Sequence, residues 1–215
     1  MLLQLLMQGE VITFAMILAA LILSLSFHEY GHALAAKLYG DDTAERLGRL
    51  TINPISHIDP VGLLMVVMVG FGYAKPVPFN PQNFKSMWAQ AGVAAAGPLA
   101  NLIIGVVALN LFIYGSGAGW ALFDGNGARS FFSILILVNF YLLLFNLIPL
   151  GVLDGHYILP YFLPRTLASK YRELNAKYGM FALLGILILS VLGVPVLAFL
   201  HGAAQWLIRH LSFVS

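Results

Sequence analysis

The residues best suited to chemistry form one short stretch, the sequence HEYGH at positions 28–32. Two histidines four residues apart on a helix are separated by a rotation of about 400°, so they project from one face. His28 and His32 could therefore supply two nitrogen ligands to a zinc ion. Glu29 points about 100° away from that face. It is predicted to act as general base on water and not to bind the metal.

A catalytic zinc site needs about three protein ligands. Asp154 is the preferred third ligand, because an aspartate at the end of an apolar run has few other uses. Three other donors compete with it. His57 and Asp59 lie in a polar segment, where His57 is more simply interpreted as a loop histidine. His156 lies two residues from Asp154, so it is expected near the site and stays open as a ligand.

Two asparagines lie in otherwise apolar runs. Asn146, eight residues before Asp154, is predicted to donate a hydrogen bond to the substrate carbonyl or to the tetrahedral oxyanion. Asn101 is better explained by hydrogen bonding between packed helices, with the oxyanion role as the alternative.

The composition is that of an integral membrane protein. Of the 215 residues, 60% are hydrophobic and 9% are charged, against about 25% charged residues in ordinary soluble domains. The mean hydropathy is +0.88. A net charge of +2 is too small to indicate nucleic-acid binding, and the absence of cysteine excludes disulfides and cysteine-based zinc sites.

Four apolar runs are long enough to cross a bilayer, which takes about 20 residues. They cover 11–37, 89–114, 131–150 and 179–200, and the first is interpreted as a retained span and not as a signal peptide. Residues 61–86 hold a half-length apolar run followed by prolines and glycines. This segment is predicted to be re-entrant or interfacial and to offer a platform for an extended substrate.

The predicted fold is an all-α polytopic membrane protein. It has four long transmembrane helices plus a re-entrant, short β-containing segment around residues 48–86, with a short strand near 49–52. Residues 1–215 are expected to form a single membrane-embedded domain, with its core at about 11–165 and a C-terminal helix at about 179–200.

The loop charges indicate an orientation. If the first helix runs from outside to inside, nine of the eleven Lys and Arg residues lie inside, and only Arg129 and Arg209 lie outside. The positive-inside rule then puts the N-terminus outside and the HEYGH motif near the cytoplasmic face. Asp154, at the far end of the third span, falls at the same face.

Together these motifs resemble the site-2 proteases, a family of membrane-embedded zinc metalloproteases. Besides HEYGH, the resemblance rests on GPLAN at 97–101, NLIP at 146–149, LDG at 153–155, NPISHIDP at 53–60 and AKPVP at 74–78. It covers roughly residues 15–165. The prolines that often precede the aspartate in this family are replaced here by Gly151 and Val152. The chain looks like a compact member without a PDZ-like or other regulatory domain.

The resemblance implies that His28, His32 and Asp154 bind one zinc ion per chain, that Glu29 activates water, and that Asn146 helps to hold substrate or oxyanion. It implies an intramembrane endopeptidase that acts on transmembrane or membrane-anchored proteins in the cell membrane. Homo-oligomers are compatible with it, and no nucleic-acid partner is expected. Two alternatives stay open: a metal-ion transporter, which would have no need of Glu29, and a catalytically idle zinc-binding scaffold.

Overall fold

The structure, a computed structural model, describes residues 2–214. Over this part of the chain every regular element is a helix. The ten α-helices are α1 (Leu2–Met7), α2 (Val11–Leu38), α3 (Thr43–Arg46), α4 (Pro60–Val69), α5 (Ala89–Gly117), α6 (Asn126–Asn146), α7 (Asp154–Ile158), α8 (Arg165–Leu174), α9 (Met180–Val191) and α10 (Ala198–His210). Short 3₁₀-helices lie at Pro54–Ser56, Pro81–Asn83, Ala121–Phe123 and Leu159–Phe162, and one π-helical turn lies at Asn175–Gly179.

Three long helices, α2, α5 and α6, pack on one another and form the centre of the molecule. Small residues let α2 and α5 approach closely: a Cβ added to Gly31 would lie 2.6 Å from the carbonyl oxygen of Ala96. Such contacts drive helix association where lipid is as apolar as the side chains. Around Phe140, which is fully buried, aliphatic side chains of α2, α5, α6 and α10 close the core.

Four helices are long and apolar enough to cross a membrane, as the hydropathy pattern predicts. The chain is therefore a multi-pass membrane protein. Several boundaries differ from the prediction. The predicted C-terminal helix at about 179–200 is wrong at its end, because α9 stops at Val191 and a separate helix, α10, begins at Ala198. The third span is α6, which ends at Asn146 because residues 147–153 turn back on themselves. The fourth span begins at Arg165, since α8 is an amphipathic helix that continues through the π-helical turn into α9. The single-domain prediction for residues 1–215 stays a prediction.

The predicted β-containing segment around residues 48–86 is wrong, because the described residues contain no strand. The segment forms the 3₁₀-helix Pro54–Ser56, then α4, then a stretch without regular secondary structure at 71–80. Pro76 and Pro78 lack the N–H that a ladder requires. The guanidinium of Arg49 donates hydrogen bonds to the carbonyl oxygens of Lys75 and Pro76. A side chain therefore satisfies two backbone groups that a second strand would have paired.

Asp41 binds the C-terminal end of the stretch at 71–80. Its carboxylate is fully buried and accepts hydrogen bonds from the backbone N–H of Thr43 and Asn80, from the Thr43 hydroxyl and from the side-chain amide of Asn83. Burial alone would raise the pKa of Asp41, but these hydrogen bonds outweigh it and hold the pKa below its usual value of 3.8. The end of α2, which carries the histidines, is thereby tied to residues 80–83.

Replacing Asp41 by Asn should destabilise the fold by about 1–3 kcal/mol at pH 7, because an amide cannot accept all of these bonds. The folded pKa of Asp41 is depressed, so its stabilisation is complete above the unfolded value of about 3.9 and is lost as the pH falls through the folded value. We expect thermal unfolding in detergent to show a gap between wild type and Asp41→Asn that closes below pH 4. The control is Asp42→Asn, whose carboxylate pairs with Arg46 at the surface. A gap that does not change with pH would contradict the assignment.

Candidate metal centre

The structure brings three predicted ligand residues together. His28 and His32 lie one turn apart on α2, and Asp154 is the first residue of α7. The two Nε2 atoms are 3.0 Å apart. Oδ2 of Asp154 lies 3.2 Å from Nε2 of His28, and Oδ1 lies 3.4 Å from Nε2 of His32. Among the described residues, these three form the one such group of donors that could hold a metal ion.

Hydrogen bonds on the far side of each ring fix which nitrogen faces the cluster. Nδ1 of His28 lies 2.6 Å from Oδ1 of Asn101, and Nδ1 of His32 lies 2.7 Å from the carbonyl oxygen of Val93. Both partners are acceptors, so each Nδ1 carries the proton and donates it. Each Nε2 is then left with a lone pair directed toward Asp154. Such bonds to the second nitrogen are the usual support of a histidine ligand.

The donor set fits a zinc ion. Zinc with nitrogen and oxygen ligands at about 2.0–2.2 Å in tetrahedral geometry separates the donor atoms by roughly 3.3–3.5 Å. The two histidine nitrogens are 3.0 Å apart, and each has one oxygen of Asp154 nearby, Oδ2 at 3.2 Å from His28 and Oδ1 at 3.4 Å from His32, so the donors lie at or slightly inside that spacing. Oδ2 of Asp154 is buried and has no hydrogen-bond partner. Lone pairs that face one another without a proton between them repel, and a bound cation removes that repulsion.

Helix α5 closes one side of the cluster through Gly97. A Cβ added there would lie 2.3 Å from Nε2 of His32 and 2.7 Å from Nε2 of His28. The glycine therefore leaves the space that the donor atoms occupy. Pro98 follows inside the same helix and removes one internal hydrogen bond. The GPLAN motif thus brings bare backbone against the histidines, a role that the sequence alone did not reveal.

Glu29 is buried beside the donor cluster and faces the stretch at 71–80. Its Oε2 accepts a hydrogen bond of 3.1 Å from the backbone N–H of Val77. Arg49 holds the two preceding carbonyl groups, which fixes the direction of that N–H. The carboxylate that sequence analysis predicts as the general base is therefore in contact with the one segment predicted to receive substrate.

The competing donors lie elsewhere in the structure. His57 is buried, with Nε2 2.7 Å from the carbonyl oxygen of Thr51 and Nδ1 3.4 Å from the guanidinium of Arg49. Asp59 caps α4 by accepting a hydrogen bond from the N–H of Gly62. His156 contacts the hydroxyl of Tyr171 at 3.3 Å. None of the three belongs to the donor cluster, so their contacts with backbone and neighbouring side chains account for them.

Asn101 does more than join packed helices. While Oδ1 accepts from His28, its Nδ2 donates to the Ser24 carbonyl oxygen and to Oδ1 of Asn139. Nδ2 of Asn139 in turn donates to the hydroxyl of Ser24. This buried chain of amides runs from a histidine of the cluster into the α2–α5–α6 core. The predicted packing role describes Nδ2 and leaves out the bond of Oδ1 to His28, and nothing in the sequence distinguishes Asn139 from any other polar residue of a span.

Asn146 is the last residue of α6, and its Nδ2 donates to the carbonyl oxygen of Leu142 one turn earlier. This bond lies within its own helix and does not connect it to the donor cluster. Its predicted contact with substrate or oxyanion stays a prediction.

Comparison with known proteins decides the family. The model of Peptidase family M50 matches residues 16–189. The chain belongs to this family. Similar proteins include the "Putative zinc metalloprotease YwhC" of Bacillus subtilis (strain 168), 39% identical over 82% of this chain and 81% of that protein. The "Putative zinc metalloprotease Rip2" of Mycolicibacterium smegmatis is 31% identical over 71% of this chain and 60% of its own length. The protein of the same name from Mycobacterium tuberculosis H37Rv is 29% identical over 90% of this chain and 73% of its own length.

No solved structure matches the chain. Family membership and the names of these relatives make this chain a zinc metalloprotease, and the four long apolar helices place it in the membrane. The resemblance to site-2 proteases is thereby confirmed. Zinc is the expected metal, in agreement with the His-His-Asp cluster. The individual roles of the residues remain proposals.

Gly97→Ala should empty the metal centre, because its methyl group would overlap the donor atoms of both histidines. We expect purified protein to carry well under one zinc per chain by elemental analysis. Gly117→Ala is the matched control on the same helix, since a Cβ there meets nothing within 4 Å. Full zinc content in Gly97→Ala would show that the metal lies elsewhere.

Asn101→Leu should weaken zinc binding by about 10–100-fold, the usual effect of removing an outer hydrogen-bond partner of a ligand. The His28 ring then loses the acceptor that fixes its tautomer. Chelator competition measures the affinity. Asn110→Leu provides the control, because Asn110 lies on α5 and bonds only to the backbone of Val106, Leu211 and Phe213. Equal affinities in the two variants would contradict the role of Asn101.

Proposed function

We propose that this zinc metalloprotease is an intramembrane endopeptidase that cuts transmembrane or membrane-anchored proteins. The supporting observation is the donor cluster of His28, His32 and Asp154, which lies at the end of a membrane span and next to the buried side chain of Glu29. Ionisable groups in a span are costly and mark functional sites. Here all of them can be used by one reaction, the hydrolysis of a peptide bond.

Each residue has a proposed part in the reaction. The two histidines and Asp154 hold the metal, which when bound lowers the pKa of a water ligand toward about 7 and polarises the scissile carbonyl. Glu29 accepts a proton from the attacking water and returns it to the amine nitrogen as the peptide bond breaks. Asn146 donates a hydrogen bond to the oxyanion or to a neighbouring substrate carbonyl.

The substrate must be extended at the cleaved bond, because a helical peptide bond is shielded by its own turn and hydrogen bonds. The stretch at 71–80 is the proposed platform. It has no regular secondary structure, and the N–H of Val77 donates a hydrogen bond to Glu29. Arg49 already binds the carbonyl oxygens of Lys75 and Pro76, so substrate would pair with the other backbone groups of the stretch.

The loop charges support a site that opens toward the cytoplasm. The charge asymmetry given above follows the positive-inside rule. In the structure, the basic residues of α8 lie in the first part of the fourth span, and Tyr171 of the same helix contacts His156, two residues from Asp154. We therefore propose cleavage of substrates near the cytoplasmic face of the cell membrane.

Glu29→Gln tests the mechanism. This variant should retain zinc and lose cleavage of a membrane substrate by about 10²–10⁴-fold, because the amide cannot accept the proton of water. The measurement compares purified variants in proteoliposomes, with Glu45→Gln as control, since Glu45 pairs with Lys37 on the surface. Asp154→Ala serves as the metal-free comparison and should lose both zinc and cleavage.

The result also separates the alternatives. Undiminished cleavage by Glu29→Gln would overturn the assignment of the base. Zinc flux across the vesicles with no cleavage by wild type would favour a transporter. Stoichiometric zinc in Asp154→Ala would remove Asp154 from the proposed ligand set.

A further inference from the structure

The turn that leads to Asp154 contains a residue that does not restrict its own backbone. Between the end of α6 and the start of α7, residues 147–153 form a tight turn, and Gly151 in this turn has φ of +63°. The two residues at the centre of the turn are Gly151 and Val152. Glycine loses more conformational freedom on folding than any other residue, so this turn does not fix itself. Something else must hold the residue three positions before the proposed ligand.

Asn175 of the fourth span holds it. The Oδ1 atom of Asn175 accepts a hydrogen bond of 2.8 Å from the N–H of Gly151, and its Nδ2 donates one of 2.8 Å to the carbonyl oxygen of Gly151. One buried amide thus binds both backbone groups of a single residue 24 positions away. Two bonds to one residue fix the planes of both peptide groups that flank it.

The local helix geometry leaves room for this amide. Asn175 begins a π-helical turn that ends at Gly179. Such turns are rare and occur often at functional sites. A Cβ on Gly179 would lie only 2.2 Å from Oδ1 of Asn175, so the glycine leaves the space that the amide occupies. The helix also packs tightly on the turn: a Cβ on Gly151 would lie 3.0 Å from Leu183.

A second side chain of the same span supports the turn. The hydroxyl of Tyr171 donates a hydrogen bond of 2.8 Å to the carbonyl oxygen of Pro149. Tyr171 and Asn175 are four residues apart, so they project from the same side. The fourth span therefore contacts the turn at Pro149 and again at Gly151, on the approach to Asp154.

We propose that Asn175 is a positioning residue for the metal centre: its amide fixes Gly151 and so places the carboxylate of Asp154 opposite the two histidines. The proposal rests on the proposed ligand set. An apolar residue would serve better if packing alone were needed, since burying an amide is unfavourable unless its donor and acceptor are both paired. Here both are paired, and both with the turn that leads to Asp154.

Asn175→Leu, which keeps the size and removes the hydrogen bonds, tests the proposal. We expect zinc affinity by chelator competition to fall by about 10–100-fold. The cobalt-substituted protein should show an altered visible spectrum, because the spectrum reports ligand geometry. The matched control is Asn110→Leu. Asn110 also binds the backbone of a distant segment, with 2.9 Å to the Leu211 carbonyl oxygen and 2.7 Å to the Phe213 N–H. It should lose comparable thermal stability and leave both metal readouts unchanged.

A pair of glycine variants tests the same contact without touching the amide. Gly179→Ala should displace the side chain of Asn175 and weaken zinc binding, whereas Gly185→Ala, where a Cβ meets nothing within 4 Å, should not. This pair decides the question if Asn175→Leu does not fold. Zinc affinity and cobalt spectra equal to those of the controls would overturn the role of Asn175. A wild-type protein that binds no zinc would overturn the metal centre and this proposal with it.

Discussion

The structure depends on the close approach of two imidazole nitrogens and one carboxylate in a largely apolar environment. These groups face one another at 3.0–3.4 Å, and the Nδ1 atom of each ring binds an acceptor outside the cluster. That arrangement is unfavourable unless a cation occupies the centre and unless the rest of the chain holds each group in place. His28 is held by Asn101 and His32 by the backbone of Val93. Asp154 has no such partner of its own, and its position follows from the turn that precedes it.

The magnitudes indicate what the buried amides contribute. Hydrogen bonds between membrane helices average only about 0.6 kcal/mol, so the network of Ser24, Asn101 and Asn139 adds little to a fold whose helices already pack through small residues. Its effect is directional: an amide that binds at both ends has one orientation. In the membrane, helices satisfy their own backbone groups, so side-chain amides are what can link one helix to the geometry of another. Orientation of the histidine therefore matters more than stability here.

Local signals in the sequence predict the four apolar helices. The spacing of His28 and His32 and the aspartate at the end of an apolar run also predict three residues that the structure brings together, while their role as ligands stays a proposal. The predicted β-containing segment at 48–86 is wrong, because the groups that bind the backbone of residues 75–80, such as Arg49 and Asp41, lie more than 20 residues earlier in the sequence. Gly97 and Asn175 could not be found for the same reason: nothing near a glycine or an asparagine in the sequence says what will pack on it.

The turn at Gly151 and Val152 shows how a distant contact can fix a segment that its own residues do not fix. A proline restricts its own backbone, so the turn before the aspartate would be fixed by residues within it. A glycine does not restrict its backbone in this way, so contacts from another part of the chain must hold the turn. Here Asn175 and Tyr171 of the fourth span make those hydrogen bonds. If the position of Asp154 depends on that span, then whatever displaces the span also changes the metal centre. The membrane around the fourth span thereby becomes part of the environment that determines the geometry of the site.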